Sequence, residues 1–401
     1  MTRETNWLRR QVLKAGTAVG LSGLSGCNSL RPDDQPTSEK PTTGSETSPP
    51  ITTAEFKIDP IVSELTVPWD LAFAPDESIY FTERPGRINV LSSAGTLTRL
   101  ADVTDTAAVG EGGLLGIALH PDFPNSPSLY VYQTYRDDGL HNRILRYRWT
   151  ADPGLERQDT VLDDIPGGSI HDGGRIAFGP DGKLYATTGD ASQGDLAQNR
   201  NSLAGKLLRL NPDGSIPSNN PFTDLPVWSY GHRNPEGLAW HPVTQHLYAT
   251  EHGSSGHDEV NRIEPGNNYG WPDVTGKTDG SQFTDPVLES GTRTWAPSGS
   301  TVYGGDAFPA WQGSLFFTTL GFSPGAGRRS LHRIAFEGAE GRMIAAHEVL
   351  LTNQFGRLRA VAEGPDGMIY LATSNRDGRG DPVPTDDRIL RLRPTNWSRW
   401  G

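Results

Sequence analysis

The sequence predicts an all-β protein, a six-bladed β-propeller, and three observations carry that prediction. One phrase of strand, turn, strand, loop and short apolar strand recurs six times at a spacing of about sixty residues, the mark of a radial array. The composition is turn-rich, with Gly 47 and Pro 31 among 401 residues, and its 34% hydrophobic residues suffice for short buried strands. No repeat carries a helical period; a β-sandwich with long loops would not predict such self-similarity.

The elements follow in chain order. Residues 1–27 read as a targeting segment: Arg9 and Arg10, an apolar small-residue run too short to span a bilayer, then Leu24-Ser25-Gly26-Cys27, which resembles a twin-arginine signal ending in a lipobox. Cys27, the only cysteine, is then the lipidation site, no intrachain disulfide is possible, and the protein is expected outside the cytoplasm, on the membrane through a lipid anchor alone. Residues 28–53 are rich in Ser, Thr, Pro, Asp and Glu and read as a disordered tether. Residues 54–396 form the propeller, its six phrases beginning at Pro68, Gly112, Gly173, Pro235, Pro297 and Gly356. A net charge of −12 argues against a nucleic-acid partner. A single glycosylation sequon starts at Asn396, and oligomeric state is not legible.

The third phrase, "HDGGRIAFGPDGKLYATTGD", predicts a hairpin of strands 176–178 and 184–188 around Pro180-Asp181-Gly182. Its head and foot, His171 and Asp190, are not needed for a hairpin. A lone histidine here is more often packed or solvent-facing. What points to chemistry is that Glu111, His171, Arg233, Asn234, Arg357 and Arg359 all lie at the start of a repeat, where a propeller gathers its loops around one mouth. An imidazole there can take a proton from a hydroxyl, a carboxylate can fix its tautomer, and arginines can hold an anion. The loop "TEHGSSGHDEVN" offers carbonyls and acids that suit a hard cation such as calcium.

The body resembles the soluble aldose sugar dehydrogenases dependent on pyrroloquinoline quinone (PQQ). The resemblance rests on "ERPGRINVL", "GEGGLLGIALHPDF", "HDGGRIAFGPDGKLYATTGD", "NSLAGKLLRLNPDG", "YGHRNPEGLAWHP", "EHGSSGHDEVNRIEPGNNYGWP", "WAPSG" and "GRLRAVAEGPDG", in family order from about residue 65 to 393. It implies oxidation of an aldose at C1 to the lactone, with PQQ and calcium as cofactors. His171 is then the general base, Asp190 its orienting partner, and Arg233 and Asn234 quinone contacts. Arg357 and Arg359 would meet the cofactor's carboxylates, and Trp295 would wall the sugar subsite. The carbonyls of Gly253 and Ser254 would hold calcium, with Asp258, Glu259 and the Tyr269 carbonyl at a second calcium region.

Three departures from the family pattern stand out. Glu111 replaces a Gln beside the expected cofactor, and Ser254 replaces a Pro. The fifth repeat lacks the cofactor-binding Lys, with Arg328 and Arg329 nearby. Other readings of the propeller are a form without cofactor that binds sugar or a protein, and a calcium-dependent lactonase. No Cys-x-x-Cys-His haem motif is present, so electrons would leave to an external acceptor.

Overall fold

The computed structural model describes residues 54–150, 154–278, 282–321 and 327–396. The signal, the tether and Cys27 lie outside them. The described residues form six four-stranded antiparallel sheets, one per repeat, in the β-propeller arrangement. Among them no helix is long and apolar enough to cross a membrane.

Position within a blade decides how each strand reads in sequence. The second strands, such as Ile79–Glu83, Leu184–Thr188, Leu247–Glu251, Leu315–Thr319 and Ile369–Thr373, are buried at every residue. Each is covered on both faces by neighbouring blades, so its sequence is an unbroken apolar or Thr-bearing run. Truncating Leu371, fully buried in such a strand, to Ala would cost about 2–5 kcal/mol. The outer strand Met343–Leu350 instead alternates between exposed and half-buried positions. The turns joining first and second strands in blades three and six share one construction. The side chain of Asp181 accepts the amide of Lys183 at 3.1 Å, that of Asp366 the amide of Met368 at 3.1 Å, and Gly182 and Gly367 follow with φ of +69° and +71°.

The phrases account for three strands each; the fourth is outermost and carries no repeating motif. In the sixth blade it comes from the opposite end of the chain. Phe56–Val62 pairs antiparallel with Ile389–Pro394 and closes the ring.

First strands of the blades surround the centre, where a polar network ties them together. Arg175 pairs with Asp70, donates from Nε to the Glu236 carbonyl at 2.8 Å, and lies 4.3 Å over the Trp69 ring. Arg359 donates to Glu236 Oε2 at 2.5 Å and to Ser298 Oγ at 3.4 Å. Blades one, three, four, five and six meet in this plug, above which the candidate site opens.

Candidate active site

Close backbone approach brings the ends of the blade-three hairpin together. His171 is in the left-handed region with φ of +64°, and its carbonyl accepts the amide of Ala191 at 3.1 Å. A Cβ at Gly189 would lie 1.9 Å from that carbonyl oxygen, so residue 189 must be glycine. His171 Nδ1 then sits 2.8 Å from Asp190 Oδ1, which also accepts the amide of Ser192 at 2.7 Å. Asp190 Oδ2 accepts Trp271 Nε1 at 2.8 Å. Both carboxylate oxygens are acceptors, so Nδ1 carries the imidazole proton and Nε2 presents its lone pair.

Glu111 is the first surprise. The expectation was an added negative charge at the site; the structure shows that charge engaged. Oε2 accepts the backbone amide of His171 at 2.8 Å and Oε1 accepts Arg379 at 2.7 Å. Burial and the Glu236 carboxylate push its pKa up, but the Arg379 and His171 donors outweigh them and hold it below the usual range.

The arginines divide into two kinds. Arg233 is half-buried, donates to the His252 carbonyl at 3.2 Å, lies 5.3 Å from the Trp271 ring centre, and leaves Nε without a partner. Asn234 supports the same corner, accepting the amide of Gly173 at 3.0 Å. Arg357, expected to meet a ligand, is committed to the protein. Its Nε and Nη2 bond Asp377 at 3.0 and 2.8 Å, and Nη1 bonds the carbonyls of Leu320 and Gly321 at 2.9 and 3.0 Å. Arg359 lies in the central plug with its Nε unpartnered. Arg329 holds Asp381 at 2.9 Å and Arg328 the Thr294 carbonyl at 2.9 Å. Arg84, from "ERPGR", was not singled out by its sequence. It is half-buried, carries an unpartnered Nε and is within electrostatic reach of Glu111, Arg359, Asp377 and Arg379.

Trp295 is a correction. Its ring lies in the blade-five core against Phe317, His332 and His347, with centroids 5.9, 5.1 and 5.6 Å away, and is not an open wall. Asp258 draws it inward: Oδ2 accepts the amides of Trp295 and Ala296 at 2.5 and 2.9 Å and the Thr294 hydroxyl at 3.1 Å. Asp258 Oδ1 accepts the amide of Gly253 at 2.8 Å. Asp258 is therefore a loop latch saturated by N–H and O–H donors, not a free cation ligand. The half-buried indole on the His171–Asp190 pair is Trp271, which bonds Asp190.

Glu259 and Tyr269 do come together, with Glu251, around a cavity of about 10 Å³ that Arg233, His252 and Gly253 also line. Burial and the Glu251 carboxylate push Glu259 above the usual carboxylate range. The oxygens of both carboxylates are engaged as those of Asp258 are: Glu251 accepts the Arg233 amide and His232 Nδ1, and Glu259 accepts the Gly276 amide and Asn261 Nδ2, both at 2.9 Å, so neither is a free cation ligand. Among the described residues no three His, Cys, Asp or Glu side chains converge in a metal-binding group, so a cation would need backbone oxygens. The carbonyls of Gly253 and Ser254 accept no hydrogen bond among the described residues and are available to a cation.

Two more titratable groups in this part of the structure are shifted. Burial pushes Asp172 up to about 6; its Oδ1 accepts Asn142 and the Gly168 amide, both at 3.0 Å, and its Oδ2 has no partner. Burial opposes the charged form of His252, but the Glu236 carboxylate 3.7 Å away, with Asp258 and Glu111 beyond, raises its pKa.

Comparison with known proteins places this arrangement. Residues 65–390 match the family described as glucose / sorbosone dehydrogenase. The chain is 34% identical over 367 residues to the aldose sugar dehydrogenase YliI of Escherichia coli, covering 86% of this chain and 94% of that one. It is 36% identical over 258 residues to quinoprotein glucose dehydrogenase B of Acinetobacter calcoaceticus, covering 56% and 54% of the two chains. The PQQ-bound aldose sugar dehydrogenase of Streptomyces coelicolor superimposes with a TM-score of 0.76 at 40% identity, over 85% of this chain and 99% of that one.

Proposed function

The chain belongs to the glucose / sorbosone dehydrogenase family, and from that premise we propose that it oxidises aldose sugars at C1 to the lactone with PQQ as cofactor, passing electrons to an external acceptor. The observation that carries this reading is the His171–Asp190 pair, with Nδ1 bonded at 2.8 Å and Nε2 left with its lone pair. His171 Nε2 takes the proton of the anomeric hydroxyl, and Asp190 stabilises the imidazolium that forms. Trp271 fixes the far side of Asp190 and Glu111 fixes the His171 backbone, so the base is pre-positioned on both sides.

The residues present fit an anionic planar quinone. Arg84 and Arg233 each offer a buried, unpartnered Nε, the donor type that binds carboxylate or a carbonyl gaining negative charge. When bound, the quinone supplies the two-electron acceptor for the hydride from C1. Calcium on the Gly253 and Ser254 carbonyls would supply Lewis acidity. Export and anchoring through Cys27 belong to the same proposal and rest on Arg9-Arg10 and the lipobox.

The test is reconstitution. Adding PQQ and calcium to apoprotein should produce a bound-quinone absorption band and dye-linked aldose oxidation. Retention of sugar binding with neither band nor turnover would favour the cofactor-less reading. Mass spectrometry of the native protein should find a lipid on Cys27 and no residue before it.

A further inference from the structure

We propose that Arg379 is a positioning residue for the base: it holds Glu111, and Glu111 holds the backbone of His171. This rests on the reading of His171 as the general base. Arg379 lies in the blade-six loop between Ile369–Thr373 and Ile389–Pro394. Its Nη1 donates to Glu111 Oε1 at 2.7 Å, and Glu111 Oε2 accepts the amide of His171 at 2.8 Å. One carboxylate of blade two thus joins a blade-six loop to the residue that heads the blade-three hairpin.

The blade-six end of this chain of bonds is anchored in the protein. Asp377 Oδ1 accepts the amide of Arg379 at 2.9 Å. Its Oδ2 accepts Arg357 Nε and Nη2 at 3.0 and 2.8 Å and the Ser374 hydroxyl at 3.1 Å. The Arg357 and Asp377 side chains are both buried. The turn that carries Arg379 is therefore set from within, and this is what the commitment of Arg357 achieves.

His171 needs such a hold. Its φ of +64° is a conformation that a residue with a side chain keeps only where its neighbours impose it. Asp190 holds the ring, Ala191 the carbonyl and Glu111 the amide. Glu111 serves only while its carboxylate stays turned inward. Burial and the Glu236 carboxylate disfavour its charge there, and the Arg379 donor offsets them, with a smaller contribution from His252. Without Arg379 the carboxylate gains by turning out to water, and the His171 amide loses its acceptor. A glutamine at position 111 has an oxygen to accept the same amide and no charge to solvate, so it would not need the arginine.

The test is a rescue. Tag-free apoprotein labelled with nitrogen-15 histidine shows the backbone amides of the 10 histidines, and His171 is assigned by its loss in His171→Ala. Arg379→Gln should speed hydrogen exchange at the His171 amide by about tenfold or more and leave the His232 amide unchanged. The melting temperature should stay within about 2 °C, because a partly exposed ion pair contributes little to global stability. Adding Glu111→Gln to Arg379→Gln should restore slow exchange. With quinone saturating, Arg379→Gln should lower kcat by roughly tenfold with the sugar KM within about twofold, and the double variant should be the faster of the two. A His171 amide as protected in Arg379→Gln as in wild type, or a double variant no better than the single one, would overturn the proposal. The exchange experiment uses neither quinone nor sugar. Absence of sugar oxidation in the wild type would therefore count against the proposed function, while exchange still decides whether Arg379 holds His171.

Discussion

Blade three and blade four build the same brace and use it differently. In each, a histidine just before the first strand bonds a carboxylate nineteen residues on, near the end of the second strand: His171 to Asp190 and His232 to Glu251, both through Nδ1 at 2.8 Å. The environments diverge at the other nitrogen. His232 is fully buried, its Nε2 meets Ser229 Oγ at 2.9 Å, and its ring stacks on Tyr269 with centroids 4.7 Å apart. The His171 side chain is 11% exposed, and its Nε2 makes no bond among the described residues. The brace is thus a structural device of the repeat, and freeing one lone pair turns it into a base.

That contrast can be broken most forcefully at its two histidines. His171→Ala should lower turnover by about 10²-fold or more, the contribution of a positioned general base, with quinone binding retained. Steady-state kinetics at saturating cofactor decide it; near-native turnover would make His171 another structural brace. His232→Ala should do the opposite. Taking one donor from buried Glu251, which keeps the Arg233 amide and Asn261, should cost about 1–3 kcal/mol of stability, while turnover per folded molecule stays within a few-fold. Denaturant melts paired with active-site titration would show whether the division holds.

Asp172, next to His171, sharpens the comparison through pH. Its folded pKa of about 6 lies above the ordinary carboxylate value, so between pH 4 and 6 the folded state binds more protons than the unfolded. Stability therefore falls as pH rises through that window, by about 3 kcal/mol in all. Asp172→Asn should recover part of this at pH 7 and none at pH 4, without losing the base; an equal effect at both values would refute the titration. The smallest expected effect separates the arginines. Arg233→Ala should raise the quinone concentration for half-maximal binding by about tenfold or more, the scale of one charge-assisted bond. Arg357→Ala should act on the melting temperature instead, because its donors already hold Asp377 and two carbonyls. An equal rise in quinone requirement for both would restore Arg357 to the cofactor.

Much of the propeller was legible because a strand buried on both faces leaves an unbroken apolar run, and because the Asp–Gly turns repeat. The outer strands were not, since half-exposed alternation carries no motif. The site was legible where chemistry and backbone coincide, as in the His171-to-Asp190 hairpin with its obligatory Gly189. It failed where a partner decides the role. Nothing in "GRLR" reveals that Asp377 will claim Arg357, nor does "WAPSG" reveal that Asp258 will pull Trp295 into the core. Arg84, Trp271 and Arg379 were missed because they reach the site from loops outside the aligned strand starts.

The closing strand has a consequence for how the protein comes into being. Phe56–Val62 waits for Ile389–Pro394, the last strand of the described residues. During synthesis the first five blades can form in order, but the ring stays an open arc whose two ends present unpaired strand edges. Joining them requires the longest loop closure in the molecule, so ring completion is the natural slow and final event of folding. A chain truncated at either end would lose the clasp, and with it protection from edge-to-edge association, before it lost any residue of the active site.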